Sequence, residues 1–68
     1  MSGTISLKAA RIDKGLSQAE VATALSVNEK TISNWENEKS FPNGVQLIAL
    51  CELYGRALDE IRLPKKLD

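Results

Sequence analysis

The stretch QAEVATALSVNEKTISNW, residues 18–35, decides the fold of this chain. Its apolar and small residues recur at helical spacing in two runs, and polar residues at positions 26 and 28 separate the runs. Two short helices joined by a turn of three or four residues are typical of a helix-turn-helix. The stretch therefore predicts two helices that pack against each other across a tight turn.

The apolar and small positions of this stretch each have a packing role. Ala22 lies where the two helices would cross closely, so a larger side chain would push them apart, and Val27 would fill the turn. The inward positions that would set the crossing angle are Val21, Leu25, Ile32 and Trp35. Two helices that only touch need few of these positions, so the complete set is a fairly specific signal.

Local signals place the helix ends. Gly15 can close a first helix in the left-handed conformation. Ser17 and Glu20 have capping-box spacing, which starts the second helix near Ser17. Asn28 is the N-cap candidate of the third helix, with Glu29 in its first turn. The pattern predicts helices over about residues 4–14, 17–25, 28–37, 43–54 and 58–63.

The most apolar segment, residues 45–54, predicts a helix that is central to the core. Pro42 suits the start of that helix and Gly55 its end. No alternating strand pattern, internal repeat or low-complexity segment is present in the sequence. We therefore expect an all-α fold, a compact five-helix bundle that forms a single domain over residues 1–68.

Composition narrows the class of function. The chain has 68 residues, nine basic and nine acidic side chains, no histidine and one cysteine. These counts disfavour an enzyme, exclude an internal disulfide or a thiolate metal cluster, and indicate no metal and no cofactor. Without a membrane-span or signal pattern, we expect a cytoplasmic protein with no membrane partner and no evident small-molecule substrate. Because the net charge is zero, any nucleic-acid binding must depend on where charge is placed.

The segments KGLSQAEVA, TISNWENEK and LYGRALDEI fall where one known family has its pattern. Over about residues 7–61 the chain resembles the helix-turn-helix of Cro and the phage repressors, often called the XRE family. The resemblance implies a lambda-repressor-like DNA-binding domain of five helices. It also implies that the third helix enters the major groove, commonly in a homodimer on a two-fold operator.

The resemblance implies roles for individual residues. The positions that match base-reading residues are Asn28, Glu29, Lys30, Thr31, Ser33 and Asn34. The positions that match phosphate-contacting residues are Gln18, Asn37, Lys39 and Ser40. Arg11 and Glu36 match a pair that forms a structural salt bridge between the first and third helices.

The chemistry of three side chains agrees with these roles. Lys30 can donate to guanine O6 and N7, the Asn34 amide can pair with adenine N6 and N7, and Glu29 can accept from cytosine N4. Each good pair discriminates by roughly 1–3 kcal/mol. Backbone amides at the start of the second helix and after the third could bind phosphate without side-chain charge.

Two residues keep alternative interpretations. Glu29 is either a base reader or a residue that only favours the helix dipole, since an acid in a groove is repelled by phosphates unless it finds a donor. Arg11 could bind phosphate, although partly buried bidentate pairing with Glu36 suits its guanidinium better.

Four positions depart from the family pattern. Ser26 and Glu38 stand where the family has glycine, so a left-handed backbone there would be strained, unless Asn37 takes the left-handed position in place of Glu38. Arg56 occupies a usually apolar site, and Ala57 replaces a serine-type cap before the fifth helix.

The sequence thus predicts a sequence-specific regulator of transcription that binds double-stranded DNA, a repressor of phage or bacterial origin. The alternative is a protein-interaction module that kept the fold and lost DNA binding, which the neutral net charge and the acids Glu29 and Glu38 favour.

Overall fold

The computed structural model describes residues 4–62. In chain order the described part contains four α-helices and one 3₁₀ turn: α1 (Leu7–Asp13), α2 (Gln18–Leu25), α3 (Glu29–Glu36), α4 (Gly44–Tyr54) and the 3₁₀ turn Leu58–Glu60. No helix among these residues is long and apolar enough to cross a membrane. The all-α class is confirmed, whereas the prediction of five helices is wrong for the described residues.

The predicted fifth helix is a single 3₁₀ turn because the chain becomes extended directly after it. Ile61 has φ −92° and ψ 127° and forms an isolated parallel bridge with Ile5. The amide of Ile5 donates to the carbonyl of Glu60 at 2.8 Å, and the amide of Arg62 donates to the carbonyl of Ile5, also at 2.8 Å. The predicted end at residue 63 lies outside the described residues.

The same bridge moves the start of α1. Ile5 is extended and paired, so α1 begins at Leu7 and not near residue 4. Ser6 is its N-cap, and the Ser6 hydroxyl accepts from the Ala9 amide at 3.1 Å. Gly15 follows the C-cap with a left-handed φ of 77°, as predicted.

The capping box at α2 is confirmed. The Ser17 hydroxyl accepts from the Glu20 amide at 3.0 Å, and the Glu20 carboxylate accepts from the Ser17 amide at 2.8 Å. Asn43 and Gln46 form a second capping box at α4, with bonds of 2.8 and 2.9 Å. Satisfying these first-turn amides stabilises two helices that are too short to form alone.

One core holds the described helices together. Its buried residues are Leu7, Ala10, Val21, Ala22, Ile32, Trp35, Leu50, Cys51, Tyr54 and Ile61. They come from all four helices and from the residue after the 3₁₀ turn. α4 is less central than its apolar sequence predicts, because only one of its faces is buried; Val45 and Ile48 are exposed.

Candidate nucleic-acid interface

α2 and α3 pack against each other across a tight turn. Val21 and Ala22 of α2 and Ile32 and Trp35 of α3 are all buried. The turn is closed by the Val27 amide, which donates to the Ala22 carbonyl at 2.9 Å. These contacts fix α3 against the core and leave its opposite side at the surface.

The outer side of α3 carries the predicted base-reading residues. Asn28, Glu29 and Lys30 are exposed, and Thr31, Ser33 and Asn34 are half-buried. Ile32 and Trp35 interrupt this set and point into the core, as helical periodicity requires. The structure therefore places all six residues on α3 or at its N-cap, outside the buried pair Ile32 and Trp35.

Asn28 occupies the N-cap position of α3, but its side chain makes no capping hydrogen bond. Its backbone is extended, at φ −75° and ψ 150°, and its carbonyl accepts from the Thr31 amide at 2.9 Å. The predicted N-cap position is therefore confirmed, but the side chain does not make the capping bond. The carboxamide of Asn28 is left at the surface beside Glu29 and Lys30.

Ser33 is partly engaged within the protein. Its hydroxyl accepts from the side-chain amide of Asn37 at 3.2 Å. This bond links a predicted base reader to a predicted phosphate contact. The Asn37 side chain is exposed, so the bond lies at the surface of the candidate interface.

The segment after α3 turns sharply at Glu38, which has a left-handed φ of 64°. Asn37 has φ −94° and ψ 6°, so it does not take the left-handed position. The turn returns the Lys39 amide to the Asn34 carbonyl at 2.8 Å. Lys39 is exposed and Ser40 is half-buried.

Arg11 and Glu36 join α1 to α3. Arg11 Nε donates to Glu36 Oε2 at 2.7 Å, and Nη2 donates to Glu36 Oε1 at 3.2 Å. Arg11 Nη1 also donates to the Leu16 carbonyl at 2.8 Å. The hydrogen bond to Glu36 raises the pKa of Arg11 and outweighs the opposing effect of burial. The guanidinium is therefore turned inward, away from a role as a surface phosphate ligand.

Gln18 contacts the same carboxylate, an arrangement that sequence reasoning missed. Its Nε2 donates to Glu36 Oε1 at 3.0 Å. Gln18 is the first residue of α2 and Glu36 the last of α3, so the packing of the two helices brings them together. No local spacing signals this contact, because 18 positions separate the two residues.

The start of α2 offers fewer amides to an anion than its sequence suggests. The capping box engages the amides of Ser17 and Glu20. The amides of Gln18 and Ala19 belong to the first turn, where helix amides have no intrahelical acceptor. The Glu20 carboxylate also offsets part of the positive helix end.

A family model described as Helix-turn-helix matches residues 7–61, most of the chain. The chain belongs to the Cro/C1-type helix-turn-helix family, also called the XRE family. Its members are DNA-binding regulators of transcription, and they are not typically enzymes. No curated protein and no solved structure matches the chain.

Two residues that replace a glycine of the XRE pattern have a left-handed backbone. Ser26 has φ 60° and ψ 42°, and Glu38 has φ 64°, so both residues adopt the left-handed conformation that glycine adopts most easily. Glu38 also lines a cleft of about 20 Å³ together with Arg62 and Trp35.

Two further departures from the XRE pattern have local substitutes. Arg56, at a usually apolar site, pairs with Asp13 at 3.0 Å across the surface. Ala57 cannot cap through its side chain, but its amide donates to the Glu60 carboxylate at 2.8 Å. The C-terminal part of the described chain is thus held without the family's usual residues.

Proposed function

We propose that this chain is a sequence-specific transcription regulator that binds double-stranded DNA in the cytoplasm of its host and reads the major groove with α3. A repressor of phage or bacterial origin is the form we favour. The observation that carries the proposal is the division of α3 into a buried side, with Ile32 and Trp35, and an outer side of hydrogen-bonding groups. A helix held in this way can enter a groove with its outer side while its buried side stays packed on the core.

The proposed base readers run from the N-cap of α3 to Asn34. Lys30 would donate to guanine, and Asn34, further along the helix, would pair with adenine. Glu29 would accept from the cytosine amine or else remain a helix-dipole residue. The Asn28 carboxamide does not cap the helix, so it is free to form a hydrogen bond with a base edge. Thr31 and Ser33 would contribute hydrogen bonds to bases through their short hydroxyl side chains.

The proposed phosphate contacts lie on both sides of α3 in the chain. Gln18 precedes it at the start of α2, and Asn37, Lys39 and Ser40 follow it. Phosphate contacts at these positions would fix the register of α3 in the groove. Because the formal net charge is zero, we expect a weaker dependence of affinity on salt than a strongly basic domain of this size would have.

A homodimer is the proposed binding form. The 3₁₀ turn exposes Leu58, which is 53% accessible and offers an apolar side chain to a second copy. Two-fold symmetric dimers bind half-sites about one helical turn apart. Sedimentation of the free chain, and of its complex with a palindromic site, would report the stoichiometry.

The function can be tested by selection from random DNA followed by titration. The recovered site and a scrambled duplex are titrated at two salt concentrations, with a chelator present because no cofactor is proposed. Tighter binding to the selected site supports the function, and symmetric half-sites support the dimer. Equal affinity for both duplexes would remove the claim of specificity, and binding to neither would favour the protein-interaction module.

A further inference from the structure

The Glu36 carboxylate is the meeting point of three hydrogen bonds from two side chains. Oε2 accepts from Arg11 Nε, while Oε1 accepts from Arg11 Nη2 and from Gln18 Nε2. The Glu36 side chain is only 3% exposed. Water therefore cannot easily replace any of these donors.

A buried ion pair is a poor device for stability alone, because desolvation offsets most of the attraction between its charges. In this protein the pair has a second consequence. We propose that Glu36 is a positioning residue that holds the Gln18 amide ready to contact a DNA phosphate. This inference rests on the proposed function.

The geometry gives Gln18 a defined remaining donor. A carboxamide nitrogen carries two hydrogens, and Glu36 accepts one of them. The second N–H is left for a phosphate oxygen, on a side chain that is already ordered. A free glutamine would lose its rotamer freedom on binding, which weakens association.

Arg11 also restrains the backbone before α2. Its Nη1 donates to the carbonyl of Leu16, two residues before Gln18. The pair thus restrains both the chain that enters α2 and the first side chain of that helix. The guanidinium also balances the charge of Glu36, so the carboxylate can lie near a phosphate contact with little net repulsion.

A double-mutant cycle on DNA affinity tests the proposal. The proteins are the wild-type chain, Gln18→Ala, Glu36→Gln and the double variant, titrated with the selected duplex at a temperature where circular dichroism shows all four folded. Glu36→Gln should weaken binding roughly two- to tenfold when Gln18 is present, and should have no such effect when Gln18 is alanine. The charge change from Glu36→Gln is common to both arms and cancels in the cycle.

The outcomes separate the two proposals. If the wild-type chain binds no duplex, the proposed function fails and the positioning role fails with it. If the wild-type chain binds but Glu36→Gln weakens both backgrounds equally, only the positioning role is overturned, because a purely structural residue would act in that way.

A measurement on the wild-type chain covers the case in which Glu36→Gln does not fold. The sequence has two glutamines, and Gln46 is the matched reference because it uses its oxygen, not its nitrogen, in a capping box. One Gln18 side-chain amide proton should exchange with water more slowly than either proton of Gln46 in NMR spectra of the free protein. Equal exchange rates would overturn the positioning role.

Discussion

Arg11 Nε lies 2.7 Å from Glu36 Oε2, and the two side chains are 11% and 3% exposed. Arg11→Met would leave the Glu36 charge buried without its partner. Removing one member of a buried pair costs roughly 3–5 kcal/mol, a large part of the roughly 5–15 kcal/mol that typically stabilises a domain. Urea unfolding followed by circular dichroism would measure the loss.

Arg56→Met is the matched control for that substitution. Arg56 pairs with Asp13 at 3.0 Å, but the two side chains are 30% and 66% exposed. Exposed pairs contribute about 0–1 kcal/mol, so the free energy of unfolding should change little. A loss as large as that of Arg11→Met would contradict the distinction between the two pairs.

Lys30 and Lys39 should have separable effects on DNA binding. Lys30→Ala should cost about 1–3 kcal/mol on the preferred site and relax the base preference at one position. Lys39→Ala should weaken all duplexes similarly and lower the slope of log affinity against log salt by about one.

Lys8→Ala is the control for these two variants, because Lys8 is exposed on α1 and is not among the proposed DNA contacts. Its affinity and salt slope should stay close to wild type. If all three alanine variants give the same profile, the assignment of Lys30 to bases and Lys39 to phosphates is wrong.

The two asparagine N-caps should respond differently to alanine. Asn43 accepts from the Gln46 amide at 2.8 Å, whereas Asn28 makes no capping bond through its side chain. Asn43→Ala should therefore lower the free energy of unfolding by about 1 kcal/mol, and Asn28→Ala should lower it much less. For DNA affinity the order should reverse, and Asn28→Ala should weaken binding more than Asn43→Ala. Thermal melts and duplex titrations of both variants would check the two orders.

Features that depend on neighbouring residues could be predicted from the sequence. The Ser17 and Glu20 capping box and the left-handed Gly15 follow from residue type and short spacing, and both are present. The buried set of the helix-turn-helix follows from helical periodicity in the same way. Such signals also place the candidate base readers on one helix.

Features that depend on distant residues could not be predicted in this way. The pairing of Ile5 with Ile61 shortens the first helix and replaces the fifth, and it joins opposite ends of the described chain. The contact of Gln18 with Glu36 arises only once α2 and α3 have packed. Asn28 has the right residue type for a cap, yet side-chain orientation decides whether the bond forms.

Glu38 combines a strained backbone with a negative charge, and substitution can separate the two. Its φ is 64°, and the left-handed conformation costs a residue with a Cβ about 1–2 kcal/mol. Glu38→Gly should raise the free energy of unfolding by a net ~0.5 kcal/mol or more, because glycine also makes the unfolded chain more flexible. Without the acid beside Lys39, affinity for every duplex should also rise.

Ser26→Gly is the control, because Ser26 has nearly the same backbone, φ 60°, and no charge. It should stabilise the fold by a similar amount without a general rise in DNA affinity. Glu38→Gln keeps the strained backbone and removes the charge. It should therefore raise DNA affinity without stabilising the fold. A rise in affinity for Ser26→Gly but not for Glu38→Gln would refute the electrostatic explanation.

Tyr54 should make the protein sensitive to alkali. Its side chain is buried, and burial, helped by the nearby Glu36 charge, raises the pKa of Tyr54 from 10.0 to about 12, against the opposing effect of Arg11. Between these values the unfolded chain binds fewer protons than the folded chain, so stability is intact below pH 10 and falls as the pH rises towards 12. The loss from this one group is about 2–3 kcal/mol.

The titration can be observed directly, because Tyr54 is the only tyrosine of the chain. The absorbance of tyrosinate should appear only at a pH well above the usual range for tyrosine. It should appear either while circular dichroism still reports a folded protein or together with unfolding. Tyr54→Phe removes the ionisable group, and its stability should fall less steeply above pH 10. A midpoint near 10 in the folded chain would show that the phenol is hydrated, and the predicted alkaline loss would then disappear with it.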